Sequence, residues 1–371
     1  MSMTSSFKIP FYAQIALIAI GAFAFVYALY IGQGIILPII YATIIAILLN
    51  PVVNFFVQRK INKIVAISIA VLVFILITAL LIYFVSVQLT LFSETYPKLK
   101  EKFSELFIRI IQWVSQTFNI KVFKINAWIT QTENDAIKNM GSTISQTLYA
   151  INSILIIVLL LPVYLFMILF YKPLLLEFFR KLFKKENHVD VFEVLFNSKR
   201  IIQTYLIGLL VEAAMVAVLN SAGLLLLGID YAIILGVTGA LLNIIPYIGG
   251  IIAIALPMII AFVTKESSSY AFLVLGIYLL IQFIDNHFII PRIVASRVKL
   301  NALISIVVVL LGAALWGIPG MFLSIPLTAI VKVIFDHIEP LKPWGFLLGN
   351  IVPTASKLKF DFIKRKQSKP I

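Results

Sequence analysis

The chain has 371 residues, of which 61% are apolar and only 12% charged. A soluble domain carries about twice that share of charge, so one large water-soluble domain is excluded, and the apolar excess excludes disorder as well. There is no cysteine, which rules out disulfides, thiolate metal sites and cysteine nucleophiles. The net charge of +14 would raise nucleic acid as a partner of a soluble protein. Here its placement along the chain assigns it to membrane orientation instead, and no nucleic-acid partner is expected.

A membrane span needs about 20 apolar residues. Phe11 to Ile31 is the first such run, closed by Gly32-Gln33-Gly34, and it lacks the small-residue cleavage site of a signal peptide. It is therefore read as a retained helix. A shorter run, Ile35 to Leu49, contains Pro38 and is expected to stop at Asn50-Pro51, before a basic linker with Arg59, Lys60 and Lys63. Ile64 to Val87 is the third run. Residues 88–150 are polar, and within them Leu99, Phe103, Leu106, Ile110 and Val114 recur at helical spacing. That predicts an amphipathic helix lying at the interface or packing against another subunit, with a break at Gly141. Ile151 to Tyr171, bearing Pro162, is the fourth span, and residues 172–203 form a basic connector. Thr204 to Leu227 is the fifth span and carries Glu212. Tyr270 to Ile290 is the sixth and ends in Gln282, Asp285, Asn286 and His287. The organisation read from this is 1–87, 88–150, 151–203, a core region 204–335, and a basic tail 336–371.

Two apolar stretches are too long for ordinary spans. Tyr231 to Val263 is broken at Asn243-Ile-Ile-Pro246-Tyr247-Ile-Gly249-Gly250, and Ala302 to Val331 at Gly317-Ile-Pro319-Gly320. With the N-terminus inside, 22 of the 30 Lys and Arg fall on segments 1–10, 50–63, 172–203, 291–301 and 332–371. The positive-inside rule favours that arrangement, with both termini cytoplasmic. Residues 302–331 must then enter and leave on one face, and 231–263 on the other. Each becomes a re-entrant helical hairpin with arms of ~20 Å, about two-thirds of the ~30 Å hydrocarbon core. Bare backbone at that depth is tolerated only where protein buries it or a wet cavity meets it. Paired broken helices of this kind point to a transport site. The alternative is that each arm is a thin complete span and each tip an ordinary loop.

The residues Asn243 to Gly250, Asp285-Asn-His-Phe-Ile-Ile-Pro-Arg292, Leu315-Trp-Gly-Ile-Pro-Gly320 and Ser324-Ile-Pro-Leu-Thr-Ala329, with the early Asn50-Pro51, resemble the AI-2E transporter family. The resemblance covers nearly the whole chain and is most specific between 203 and 330. It implies a bacterial inner-membrane protein, export of the quorum-sensing signal autoinducer-2 or, as in some members, sodium or lithium/proton antiport. It also implies a homo-pentamer and an elevator-like movement.

The candidate pathway or ion-coupling residues are Glu212, Asn243, Tyr247, Gln282, Asp285, Asn286 and Arg292. The candidate gates are Pro246, Gly249, Gly250, Gly317, Pro319 and Gly320. A carboxylate in an apolar span costs ~2.5–3.5 kcal/mol to insert, so Glu212 either faces a cavity as a proton or cation site or reaches back to the headgroups. Asp285 and Arg292 are seven apart and share a face of an α-helix. They form either a salt bridge or part of a polar lining with Gln282. Half-helix ends and freed backbone groups at the tips can solvate a small polar solute or a monovalent cation or proton.

No nucleotide, hydrolase or metal motif appears, so neither enzyme chemistry nor a cofactor is expected. The expectation is an all-α polytopic protein with about six full spans plus two hairpins. It would export a small polar solute by alternating access. Cation/proton antiport is the first alternative, and a non-transporting scaffold the second.

Overall fold

A computed structural model describes residues 10–118, 159–246, 248–265, 267, 269–295 and 300–350. The predicted break at Gly141, the start of the fourth span, Tyr247, Arg297, Lys299 and the end of the tail lie outside these. Among the described residues all regular structure is helical apart from one bridge between Leu300 and Gly349.

Helix α1 (Phe11–Ile31) buries none of its side chains. A helix apolar on every side suits a lipid environment. Gly32 joins it to α2 (Gln33–Gln58), which runs through both Pro38 and Pro51. The stop expected at Asn50-Pro51 does not occur. A proline removes one backbone bond and bends the helix, but neighbouring groups in a bundle can compensate. Asn50 is buried there, and its Oδ1 accepts a hydrogen bond from Lys172 Nζ at 2.8 Å. Helix α3 (Lys63–Phe118) has 56 residues and joins the third span to the predicted amphipathic segment without interruption.

Helices α4 (Leu159–Leu182) and α5 (His188–Leu226) absorb the expected connector almost entirely. Only a short 3-10 turn, Lys185–Asn187, and the residues before it separate them. At ~58 Å, α5 is far longer than the hydrocarbon core, so its charged first turns belong outside the core.

The first reversal is formed by α6 (Ala232–Asn243) and α7 (Ile248–Thr264). Gly249 and Gly250 belong to the first turn of α7 rather than to the loop. Lipid offers little hydrophobic drive for helix association, so close backbone approach does the work. A Cβ on Gly236 would lie only 2.5 Å from the Ser221 backbone nitrogen, which puts the α5 and α6 backbones in direct contact.

Helix α8 (Ser269–Ile284) continues through two π-helical turns, Asp285–Ile289 and Pro291–Ala295. Helix α9 (Ala302–His337) holds the second reversal. Its backbone leaves helical geometry at Trp316 and at Gly317, where φ is 64° and ψ −144°. A side chain tolerates that conformation poorly, and glycine tolerates it freely. Gly312 and Ser324 would be ~18 Å apart on a straight helix, yet a Cβ on Gly312 would overlap Ser324 Oγ. The two arms therefore lie side by side. The second tip is tied to the N-terminal helices: Trp316 Nε1 donates to Leu29 O and Tyr41 OH to Pro319 O, both at 3.1 Å. Part of the tail is ordered, as α10 (Lys342–Leu348) packs back on the start of α9, where Asn301 Nδ2 donates to Leu347 O at 2.7 Å.

Seven helices among the described residues are long and apolar enough to cross a membrane. One of these is the folded α9, which leaves six of full-span length among the described residues. Three packed clusters hold the bundle together. One joins α2, α3 and α4 around Ile67 and Leu165, a second joins α2, α5 and α9 around Leu206 and Leu323, and a third joins α5 to α8 around Leu224 and Val274. The protein is thus an all-α polytopic membrane protein with two helical reversals in its C-terminal half.

Candidate functional site

Glu212 lies on the inward stripe of α5. Tyr205, Gly208, Glu212, Val216 and Gly223 follow one another at three- to seven-residue intervals, and all are buried. The carboxylate is 7% exposed and ~18 Å along the helix from Arg200. It is turned into the bundle interior.

The tip of the first reversal brings in Asn243. Its Nδ2 donates to Asp285 Oδ2 at 3.1 Å, and Asp285 is completely buried. Among the described residues Asp285 Oδ1 has no hydrogen-bond partner. Asp285 opens the π stretch. Each π turn holds roughly one residue more than an α turn and slips the helical phase by about 100°. This moves Arg292 off the face it would share with Asp285. Arg292 is exposed, with its guanidinium 5.8 Å from the centre of the Phe288 ring. The shared face expected from seven-residue spacing fails because it assumed α geometry throughout.

A cavity of about 490 Å³ lies where these parts meet. Glu212, Asn243, Pro246, Gly250, Gln282 and Asn286 line it, and Ile251, Ile254, Ile290, Val309 and Ile325 complete the apolar part of its wall. Measured along their helices from the α5–α6 and α7–α8 ends, Asn243, Glu212 and Asp285 lie at ~17, ~21 and ~24 Å.

Gly249 does not line the cavity but holds the tip closed, since a Cβ there would come within 2.6 Å of the Leu242 carbonyl carbon. The second tip is elsewhere. Gly317 is exposed, Gly320 packs on Gly312, and Pro319 serves Tyr41. The second reversal contributes its arms, through Val309 and Ile325, rather than its tip. The cavity therefore does not lie between two tips. Val309 and Ile325 had no signal in the sequence, being apolar residues among apolar residues.

A second buried polar pair escaped the sequence reading. Asn220 Oδ1 and Tyr278 Oη are both without partners among the described residues. Tyr278 Oη and Asn220 Nδ2 would lie 3.2 and 3.4 Å from a Cβ on Gly239. Asn220 could have been noticed as an amide in the middle of the fifth span.

Comparison with known proteins bears on this arrangement. The profile of the AI-2E family transporter matches residues 18–339. Among curated proteins, the chain is 26% identical over 317 residues to the AI-2 transport protein TqsA of Escherichia coli K12, covering 85% of this chain and 90% of that one. It is 24% identical over 314 residues to the putative transport protein YueF of Bacillus subtilis, covering 82% and 84%. It is 23% identical over 318 residues to the putative transport protein YhhT of Escherichia coli K12, covering 86% and 89%.

Proposed function

Since the chain belongs to the AI-2E transporter family and is a multi-pass bacterial membrane transporter, we propose that it exports a small polar solute of the autoinducer-2 type by alternating access. The observation that carries this reading is the 490 Å³ cavity, in which Glu212, Asn243, Gln282 and Asn286 converge on an otherwise apolar wall. A volume of ~300–1,000 Å³ with a few convergent polar groups is the usual form of a small-molecule site. Amides supply both donors and acceptors, and the carboxylate accepts, which suits a compact polyhydroxylated molecule. The tip Asn243–Gly250 is the movable wall, because its short turn can swing while α6 and α7 stay helical. In this reading both termini are cytoplasmic, which the distribution of Lys and Arg supports. An elevator-like stroke within a pentamer is the family's expected way of opening the cavity to either side.

The test is efflux from proteoliposomes loaded with autoinducer-2. Expected is protein-dependent release that Gln282→Ala or Asn286→Ala slows at least ~3-fold without loss of folded protein. Release equal to that of empty liposomes would overturn the reading.

A second reading, monovalent cation/proton antiport, is favoured by one observation. Two carboxylates are buried beside the cavity, and one oxygen of Asp285 lacks a partner among the described residues. Buried membrane carboxylates of this kind mark ion pathways. Proteoliposomes with an internal pH dye should then respond to added sodium or lithium, and Glu212→Gln and Asp285→Asn should abolish the response.

A further inference from the structure

At the basic end of the bundle, away from the transport cavity, two further cavities of about 400 and 320 Å³ adjoin one another. They share Asn50, Leu169, Lys172 and Leu176. Lys199 borders the larger and Lys63 the smaller, so lysines from α3, α4 and α5 border the two adjoining cavities. Lys172 donates to Asn50 Oδ1 at 2.8 Å, and Lys63 donates to Phe170 O at 2.9 Å with its ammonium 5.2 Å from the centre of the Phe170 ring. Among the described residues no carboxylate lines either cavity, and none pairs with Lys63, Lys172 or Lys199. Concentrating three cations without a counter-charge costs free energy unless an anion arrives. The rest of the larger cavity is a groove walled by Ile47, Ile168, Leu175, Phe179, Leu195 and Phe196. An anion that also brings a hydrocarbon chain satisfies both halves.

We propose that this is a specific site for one anionic phospholipid. Its phosphate lies among Lys63, Lys172 and Lys199, and an acyl chain occupies the groove between α2, α4 and α5. Three lysines whose positions are fixed by different helices discriminate by charge, whereas a diffuse basic surface would respond only to overall lipid charge. The site is independent of what the protein carries.

The experiment is native mass spectrometry of the full chain in detergent, titrated with phosphatidylglycerol or with phosphatidylcholine of the same acyl chains. One phosphatidylglycerol per chain is expected to bind preferentially. Lys172→Gln/Lys199→Gln should weaken it by about 10–30-fold. Lys181→Gln/Lys184→Gln, which removes as much charge from the same end, should change it by less than about 2-fold. If the first double variant does not fold, Lys199→Gln alone should still weaken binding by about 3-fold or more. Water-soluble glycerol 3-phosphate should not compete. Equal binding of the two lipids, equal effects of the two double variants, or effective competition by glycerol phosphate would each overturn the proposal.

Discussion

Gly249 and Gly250 are adjacent glycines in one helical turn, and alanine at each should act in opposite ways. A methyl group at Gly249 would overlap the Leu242 carbonyl and come within 2.6 Å of its carbon. Ordinary contact begins near 3.5 Å, so the tip backbone would have to open by about 1 Å or more. Forced overpacking costs about 1–3 kcal/mol. Replacing a helical glycine by alanine returns about 0.5–1 kcal/mol, leaving a net loss of up to about 2.5 kcal/mol and a displaced Asn243. At Gly250 the methyl would meet only Asn243 Oδ1 at 3.5 Å and Gln282 Oε1 at 3.7 Å, which is ordinary contact. Gly250→Ala should therefore keep or slightly raise stability. It should slow transport, because the methyl stands between two polar groups of the cavity and costs the cargo about one hydrogen bond, roughly 2–10-fold. Thermal unfolding in detergent and efflux from proteoliposomes measure the two quantities separately. If both variants lose stability equally, or if Gly250→Ala transports normally, the assignment of tip and cavity is wrong.

Other expectations follow from the same geometry. Gly236→Ala should lower the unfolding temperature by several degrees, since its methyl meets Ser221 backbone and costs about 1–3 kcal/mol. Tyr41→Phe and Trp316→Phe each remove one hydrogen bond to a distant carbonyl and should cost about 0.5–1.5 kcal/mol apiece. In the double variant the second tip should become more susceptible to proteolysis. The native chain has no cysteine, so single-cysteine variants are clean reporters. Lys181→Cys should label with impermeant maleimide only from the cytoplasmic side and Ser267→Cys only from the other, while Ile245→Cys should resist from both; bulk labelling of Ile245→Cys would mean that the first tip lies in water.

The two reversals were legible because independent signals coincide on them. Charge on the flanks gives an expected side of entry, and Gly and Pro at mid-run supply the turn. Glu212, Asn243, Gln282 and Asn286 could be picked out because a polar side chain in an apolar span is conspicuous. Three features were not legible. The π turns after Ile284 leave no mark in hydrophobic periodicity, so the separation of Arg292 from Asp285 could not be anticipated. The continuation of α2 past Pro51 depends on neighbours that only packing supplies. The share of Val309 and Ile325 in the wall depends on the angle between two arms, which composition does not encode. The extent of α5 differs for a simpler reason: the charge of 172–203 reads as a connector, yet the helix already runs from His188 through these charged turns.

Because α3 is one continuous helix, the portion beyond its apolar span, which closes at Phe84, projects another ~50 Å with its angular setting inherited from the bilayer-embedded part. Deleting a single residue at that junction would turn the whole projecting portion by about 100°, and a seven-residue insertion would return it to within about 20° while lifting it by ~10 Å. Length changes there should consequently be felt as rotations of the outer stripe, with tolerance recurring in steps of about a heptad.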